Sequence, residues 1–216
     1  MHDFKKLRRL HPLLWALVFL CAVLLLGVVY FQLRHEVSAG LAPLDYYGAA
    51  PEFRLINQDE KEIRLENLKG VVWIVDFIFT RCQGPCPLLS ARMAQLGEAV
   101  KVDKGIKLVS VTVDPEHDTP QVLKEYAKRF AANPQQWTFL TGSKDKIEAF
   151  MVKGMLQPII RAPTEGLIHS TQLVLVDSQG QIRAFRDGTS PQTVAQLLTD
   201  IRSLKYEASQ HGRKMK

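Results

Sequence analysis

Cysteine is scarce in this chain. Three occur in 216 residues, and Cys21 lies inside an apolar run, where it serves as a small hydrophobe. That leaves one close pair, Cys82 and Cys86, too little for the disulfide framework of a small secreted scaffold. Basic residues are also missing where a nucleic-acid protein would need them. The net charge is +6, yet residues 1–10 carry +3, residues 205–216 carry another +3, and residues 11–204 sum to zero. With no basic stripe on the folded part and no recognised nucleic-acid motif, nucleic acid is excluded as the expected partner. There is no internal repeat and no low-complexity run. The 46% hydrophobic and 23% charged residues exclude a disordered chain.

What is present begins with a basic segment, residues 1–12, and then an uncharged run, LLWALVFLCAVLLLGVVYF, at 13–31. At about 1.5 Å per residue a helix of that length nearly crosses the hydrocarbon core. We take 13–33 as a transmembrane anchor. Lys5, Lys6, Arg8 and Arg9 before it place the N-terminus in the cytoplasm and the rest outside. A cleavable signal peptide is the rival reading, with Val37-Ser38-Ala39 as its cleavage site, but the run is longer than such a core usually is. Residues 34–50 read as a linker, 51–205 as the folded domain and 206–216 as a loose charged tail.

The domain is organised around residues 71–89, VVWIVDFIFTRCQGPCPLL. Its first nine residues are apolar except for Asp76 and predict a strand buried on both faces. A loop then carries Cys82 and Cys86, and Pro87 suits the first position of a helix. Thiols at a helix N-terminus are biased toward thiolate by the dipole, and Arg81 would add to this if it turned toward them. Around this stretch the pattern predicts a hairpin over 53–65 and helices near 87–101 and 120–130. Strands are expected at 106–113 and 137–140, and a helix from Ser143 to about Val152. An irregular stretch is expected at 153–168, then a hairpin over 172–185 and a final helix from Ser190 to about Leu204. This is α/β with a mixed central sheet flanked by helices.

Two thiolates with three residues between them can bind a soft metal or close a disulfide. Two sulfurs seldom complete a transition-metal site, and His169, just before a hairpin strand, is the natural third donor. Two thiolates and an imidazole suit copper, and zinc accepts the same set. A lone histidine is equally often a satisfied surface residue. Asp114, in the loop after the neighbouring strand, could tune or join the site, or simply cap the next helix.

Three pieces occur in order: FTRCQGPCP at 79–87, DPEHDTP at 114–120, and His169 in HSTQLVLVDSQGQI. With them the chain resembles the Sco/SenC family of copper proteins, membrane-anchored members of the thioredoxin superfamily. The resemblance covers roughly residues 50–205. It implies a thioredoxin-like fold with an added N-terminal hairpin and a late hairpin. It implies one copper ion, Cu(I) or Cu(II), on Cys82, Cys86 and His169, with Asp114 and His117 as auxiliary candidates. It further implies a metallochaperone that delivers copper to, or reduces the cysteines of, the binuclear copper site of cytochrome c oxidase. The partner would be the copper-binding subunit of that oxidase or another copper or thiol protein of the envelope. The location would be the cytoplasmic (inner) membrane, single-pass, with the domain on the periplasmic side. Two departures stand out. Gln83 follows the first cysteine where the family often has proline, and His117 stands where many members carry arginine. The alternatives are a thiol-disulfide reductase without metal, a peroxide-detoxifying enzyme, and an interaction domain with an inert site.

Overall fold

A computed structural model describes the backbone of residues 4–39, 42–157, 159–162 and 166–214, and the side chains of 14–32, 42–157 and 170–210. The chain divides into two units, Met1–Ala42 and Pro43–Lys216. In the first, helix α1 (Phe4–Ala39) contains Leu14–Gln32, a stretch long and apolar enough to cross a membrane. The helix runs on through 34–39, part of the stretch expected to be linker.

The second unit is built on β4 (Val72–Ile78), whose seven residues are all buried. Alternation sends Trp73, Val75 and Phe77 into one apolar cluster with Val111, Phe150 and Met151. It sends Val72, Ile74 and Ile78 into another, with Cys86, Met93, Leu96, Leu123 and Leu197. A strand covered on both faces belongs at the middle of a sheet. Strands β5 (Ile106–Thr112) and β6 (Trp137–Thr141) continue from it in parallel. On its other side β9 (Gln172–Val176) and β10 (Gln181–Asp187) form an antiparallel hairpin. The early hairpin, β2 (Arg54–Asn57) and β3 (Glu62–Arg64), docks on β6. With β1 (Gly48–Ala49) the order is β1-β10-β9-β4-β5-β6-β2-β3. Helices α2 (Cys86–Ala99), α3 (Pro120–Arg129), α4 (Lys144–Glu148) and α5 (Thr193–Lys214) connect or close these strands. The mixed sheet and both hairpins are as the sequence predicts.

Three elements differ from expectation. The irregular stretch holds a two-stranded sheet, β7 (Ile159–Ala162) and β8 (Gly166–His169). Its breakers, Pro158, Pro163 and Gly166, bracket the apolar runs rather than interrupt them. The last helix starts at Thr193 and continues to Lys214, through most of the expected tail. Its Glu207 is anchored: Oε2 accepts from Arg183 Nη2 at 2.8 Å and Oε1 from the Leu44 N–H at 2.9 Å. Finally, β1 lies within the supposed linker and pairs with the start of β10 at Gly48–Ile182.

Candidate functional site

The cysteine loop leaves the C-terminal end of β4. Its first turn is closed by the Cys82 N–H donating to the Phe79 carbonyl at 3.2 Å. The next helical turn is closed by Leu89 N–H to the Pro85 carbonyl at 3.0 Å, so α2 begins one residue earlier than expected. Cys86, not Pro87, is its first residue, with Pro85 as cap. Neither cysteine is in a disulfide; Cys82 is half-buried and Cys86 fully buried. The two thiols are close enough to influence one another: Cys82 is among the groups that raise the Cys86 pKa.

Burial decides the protonation of Cys86. Desolvation pushes its thiol far above the ordinary range, and the hydrogen bond and charge of Cys82 and the charge of Asp76 add to this. The Phe79 backbone N–H pulls the other way and is outweighed. The thiolate bias expected from the helix N-terminus is therefore overruled at Cys86, which sits in the apolar cluster beneath α2. Arg81 does not supply it either. Its Nη2 donates to Asp114 Oδ2 at 2.8 Å and approaches His117 Nδ1 at 2.8 Å. His117 Nδ1 is also 2.9 Å from Asp114 Oδ1. Protonated, that nitrogen donates to Asp114; unprotonated, it accepts from Arg81. Burial raises the Asp114 carboxyl, but its hydrogen bonds with His117 and Arg81 outweigh this and hold it below the ordinary carboxylate range.

Two buried carboxyls near the cysteines escaped the sequence reading as site residues. Asp76 of β4 is fully buried, and burial pushes it up to about 7. Ser110, its register partner on β5, offsets part of this, though neither Asp76 oxygen reaches the geometry of a formed hydrogen bond. The signal was the single charge in an apolar strand. By position Asp118, just ahead of α3, looks like a helix cap. Thr119 does the capping, its Oγ1 accepting from the Val122 N–H at 3.4 Å, while the Asp118 carboxylate turns to Thr80 and Thr112.

His169 ends β8, its backbone paired with Ile159; its side chain lies outside the described residues. Strand β9 runs antiparallel to β4, pairing Val174 with Val75, so its start lies beside the end of β4 from which the cysteine loop departs. Ser170 Oγ donates to Gln157 Oε1 at 2.5 Å. The Gly188 N–H donates to the Thr171 carbonyl at 2.9 Å. A Cβ at Gly188 would stand 2.8 Å from that carbonyl oxygen and 3.1 Å from Leu89 Cγ. Thr171, two residues after His169, and Leu89, three after Cys86, thus meet at one glycine. Among the described residues no three of His, Cys, Asp and Glu gather as a metal-holding group. The sulfurs come together, and Asp114 and His117 come together with Arg81.

A dithiol at the strand-to-helix junction of a mixed sheet defines a thioredoxin-like protein. The SCO1/SenC family profile matches residues 45–205. A SCO1 protein homolog of Bacillus subtilis is 34% identical over 165 residues, 74% of this chain and 84% of that protein. Among solved structures, BsSco is a member of the Sco family of cytochrome c oxidase assembly proteins with a disulfide switch. It superposes with a TM-score of 0.67 at 32% identity, covering 76% of this chain and 98% of its own. Copper-bound ScoI of Arabidopsis thaliana superposes at 0.62 and 26%, covering 71% and 98%. The chain belongs to the SCO1/SenC family.

Proposed function

We propose that this protein is a membrane-anchored copper carrier acting in cytochrome c oxidase assembly. Cys82, Cys86 and His169 hold one copper ion, Cu(I) or Cu(II), as cargo. The oxidase copper-binding subunit, or another envelope copper or thiol protein, receives it. The observation that carries this reading is the meeting at Gly188, which brings the chain beside His169 to the helix that carries Cys86. The donor set fits the metal: paired sulfur is soft, and imidazole serves either oxidation state. Asp114 and His117, on the loop tied to Arg81, tune the site from outside. Residues 13–33 anchor the chain in the inner membrane, with the N-terminus in the cytoplasm and the domain in the periplasm.

A second reading is favoured by two free thiols on one loop that influence one another. Cys82 and Cys86 can close a disulfide, passing two electrons and two protons to a partner disulfide that opens to two thiols. The two readings share the sulfurs. Metal analysis of the reduced full-length protein in detergent separates them. The copper reading expects about one copper per chain, lost in His169→Ala and in either Cys→Ser variant. A protein that holds no copper yet cycles its disulfide is a reductase, and the copper reading is then wrong.

A further inference from the structure

Asp118 is fully buried, and its described side-chain hydrogen bonds all go to residues flanking the site. Oδ2 accepts from the Thr80 N–H at 3.0 Å and from Thr112 Oγ1 at 2.5 Å, and Oδ1 accepts from Thr80 Oγ1 at 2.5 Å. Thr112 Oγ1 in turn accepts from the Asp114 N–H at 3.0 Å. Capping does not account for this carboxylate, because Thr119 already caps α3. Burying a charge is costly unless hydrogen bonds compensate it, so a buried carboxylate with three such bonds holds its partners firmly.

The partner that matters is Thr80, two residues before Cys82. Cys86 is fixed by its helix and by the core around it. Cys82 stands on a loop without regular structure, with one backbone bond, to Phe79, and partial packing against the apolar cluster below. Where its sulfur sits is set by where residues 80 and 81 are held. Asp118 grips Thr80 by both its N–H and its hydroxyl, while the exposed Arg81–Asp114 pair adds a weaker hold.

We infer that Asp118 is a positioning residue for Cys82, keeping its sulfur opposite Cys86. The inference rests on the reading that these two thiols are the working groups. Disulfide formation reports on it directly. Glutathione disulfide oxidises the pair, one protein S–S bond forms, and two glutathione thiols are released. The equilibrium constant scales with the effective concentration of one protein thiol at the other. Loosening the arm that carries Cys82 lowers it.

The test uses the full chain in detergent, equilibrated in glutathione buffers, with each cysteine read by peptide-resolved alkylation so that Cys21 is kept apart. Asp118→Ala is expected to lower the constant about tenfold, equivalent to about 30 mV, with helical content and the slow alkylation of Cys86 retained. Thr80→Val, which removes only the hydroxyl donor, shifts it less in the same direction. Asp118→Asn returns close to wild type. Its amide oxygen can take the Thr80 N–H and the Thr112 hydroxyl, and its NH2 can donate to the Thr80 oxygen. Unchanged constants in Asp118→Ala and Thr80→Val overturn the inference. If Asp118→Ala does not fold, Thr80→Val alone decides. A wild type that neither forms the disulfide nor holds copper overturns the functional reading beneath it, and this shows before any variant is made.

Discussion

Arg81 Nη2 lies 2.8 Å from Asp114 Oδ2, joining the residue before Cys82 to the loop that follows β5. The arginine side chain is 60% exposed and the aspartate 18%, so the pair is only partly shielded from water. Such pairs contribute about 0–1 kcal/mol. Arg81→Gln is therefore expected to leave the unfolding midpoint nearly unchanged. The Asp114 carboxyl should rise toward the ordinary range, because one of the two groups holding it down is gone. In the wild type its folded pKa is depressed, so its contribution to stability is present above the unfolded value and is lost as pH falls through the folded one. Carboxyl NMR titration of both proteins checks the shift.

Asp76 has the opposite sign. Its folded pKa, about 7, lies above the ordinary carboxylate value, so ionising it in the folded protein costs stability. The loss grows as pH rises from about 4 to about 7 and is then constant, a few kcal/mol at most. Asp76→Asn removes the titration. Denaturant melts should show the variant gaining on wild type at pH 8 relative to pH 5, with the difference flat above the carboxyl's midpoint.

The two thiols should differ in reactivity. Cys86 is fully buried and its pKa is pushed up, whereas Cys82 is half-buried. Iodoacetamide should label Cys82 first in the reduced protein, with Cys86 labelled only as the domain opens. Equal rates, read by mass spectrometry of the peptides, would contradict the burial described above.

Gly188 permits the close approach of Thr171 and Leu89. A methyl group there would stand 2.8 Å from a backbone oxygen, which cannot swing aside as a side chain can. Gly188→Ala is expected to destabilise the domain by about 1–3 kcal/mol, the usual cost of overpacking. It should also weaken copper retention, since the displaced strand leads back to His169. Competition with a Cu(I) chelator measures the second effect and thermal melts the first.

Much of this architecture was legible in the sequence because local periodicity and long-range burial agree. The run at 72–78 is apolar on both faces, and only a central position can satisfy it. The hairpins carried their own turn chemistry, and Thr119-Pro120 announced α3. What escaped depends on contacts between residues distant in the chain. The extension of α5 is held by Arg183, which lies before the helix, and by Leu44, over 160 residues away. Asp118 looks like a cap by position, and only the fold reveals Thr80 beside it. Arg81 would favour thiolate only by turning to the sulfurs, and a carboxylate on the next loop is the stronger partner for a guanidinium. The β7–β8 pair is hidden because prolines at 158 and 163 read locally as breakers, and only the pairing shows strands running up to them.

The chain comes into the domain beside Ile182, where Arg183 grips the Leu44 and Asp45 carbonyls. That is the foot of the sheet, because Ile182 pairs with Val176, which pairs with Trp73 near the start of β4. The sulfurs lie past the other end of the same strand, whose seven residues span about 20 Å at roughly 3.3 Å per residue. Residues 44–49 are thus fastened at the handle of the sheet, and the jaws formed by the cysteine loop stand at its opposite end, so the first stretch of the folded unit and its two sulfurs load different edges of one strand.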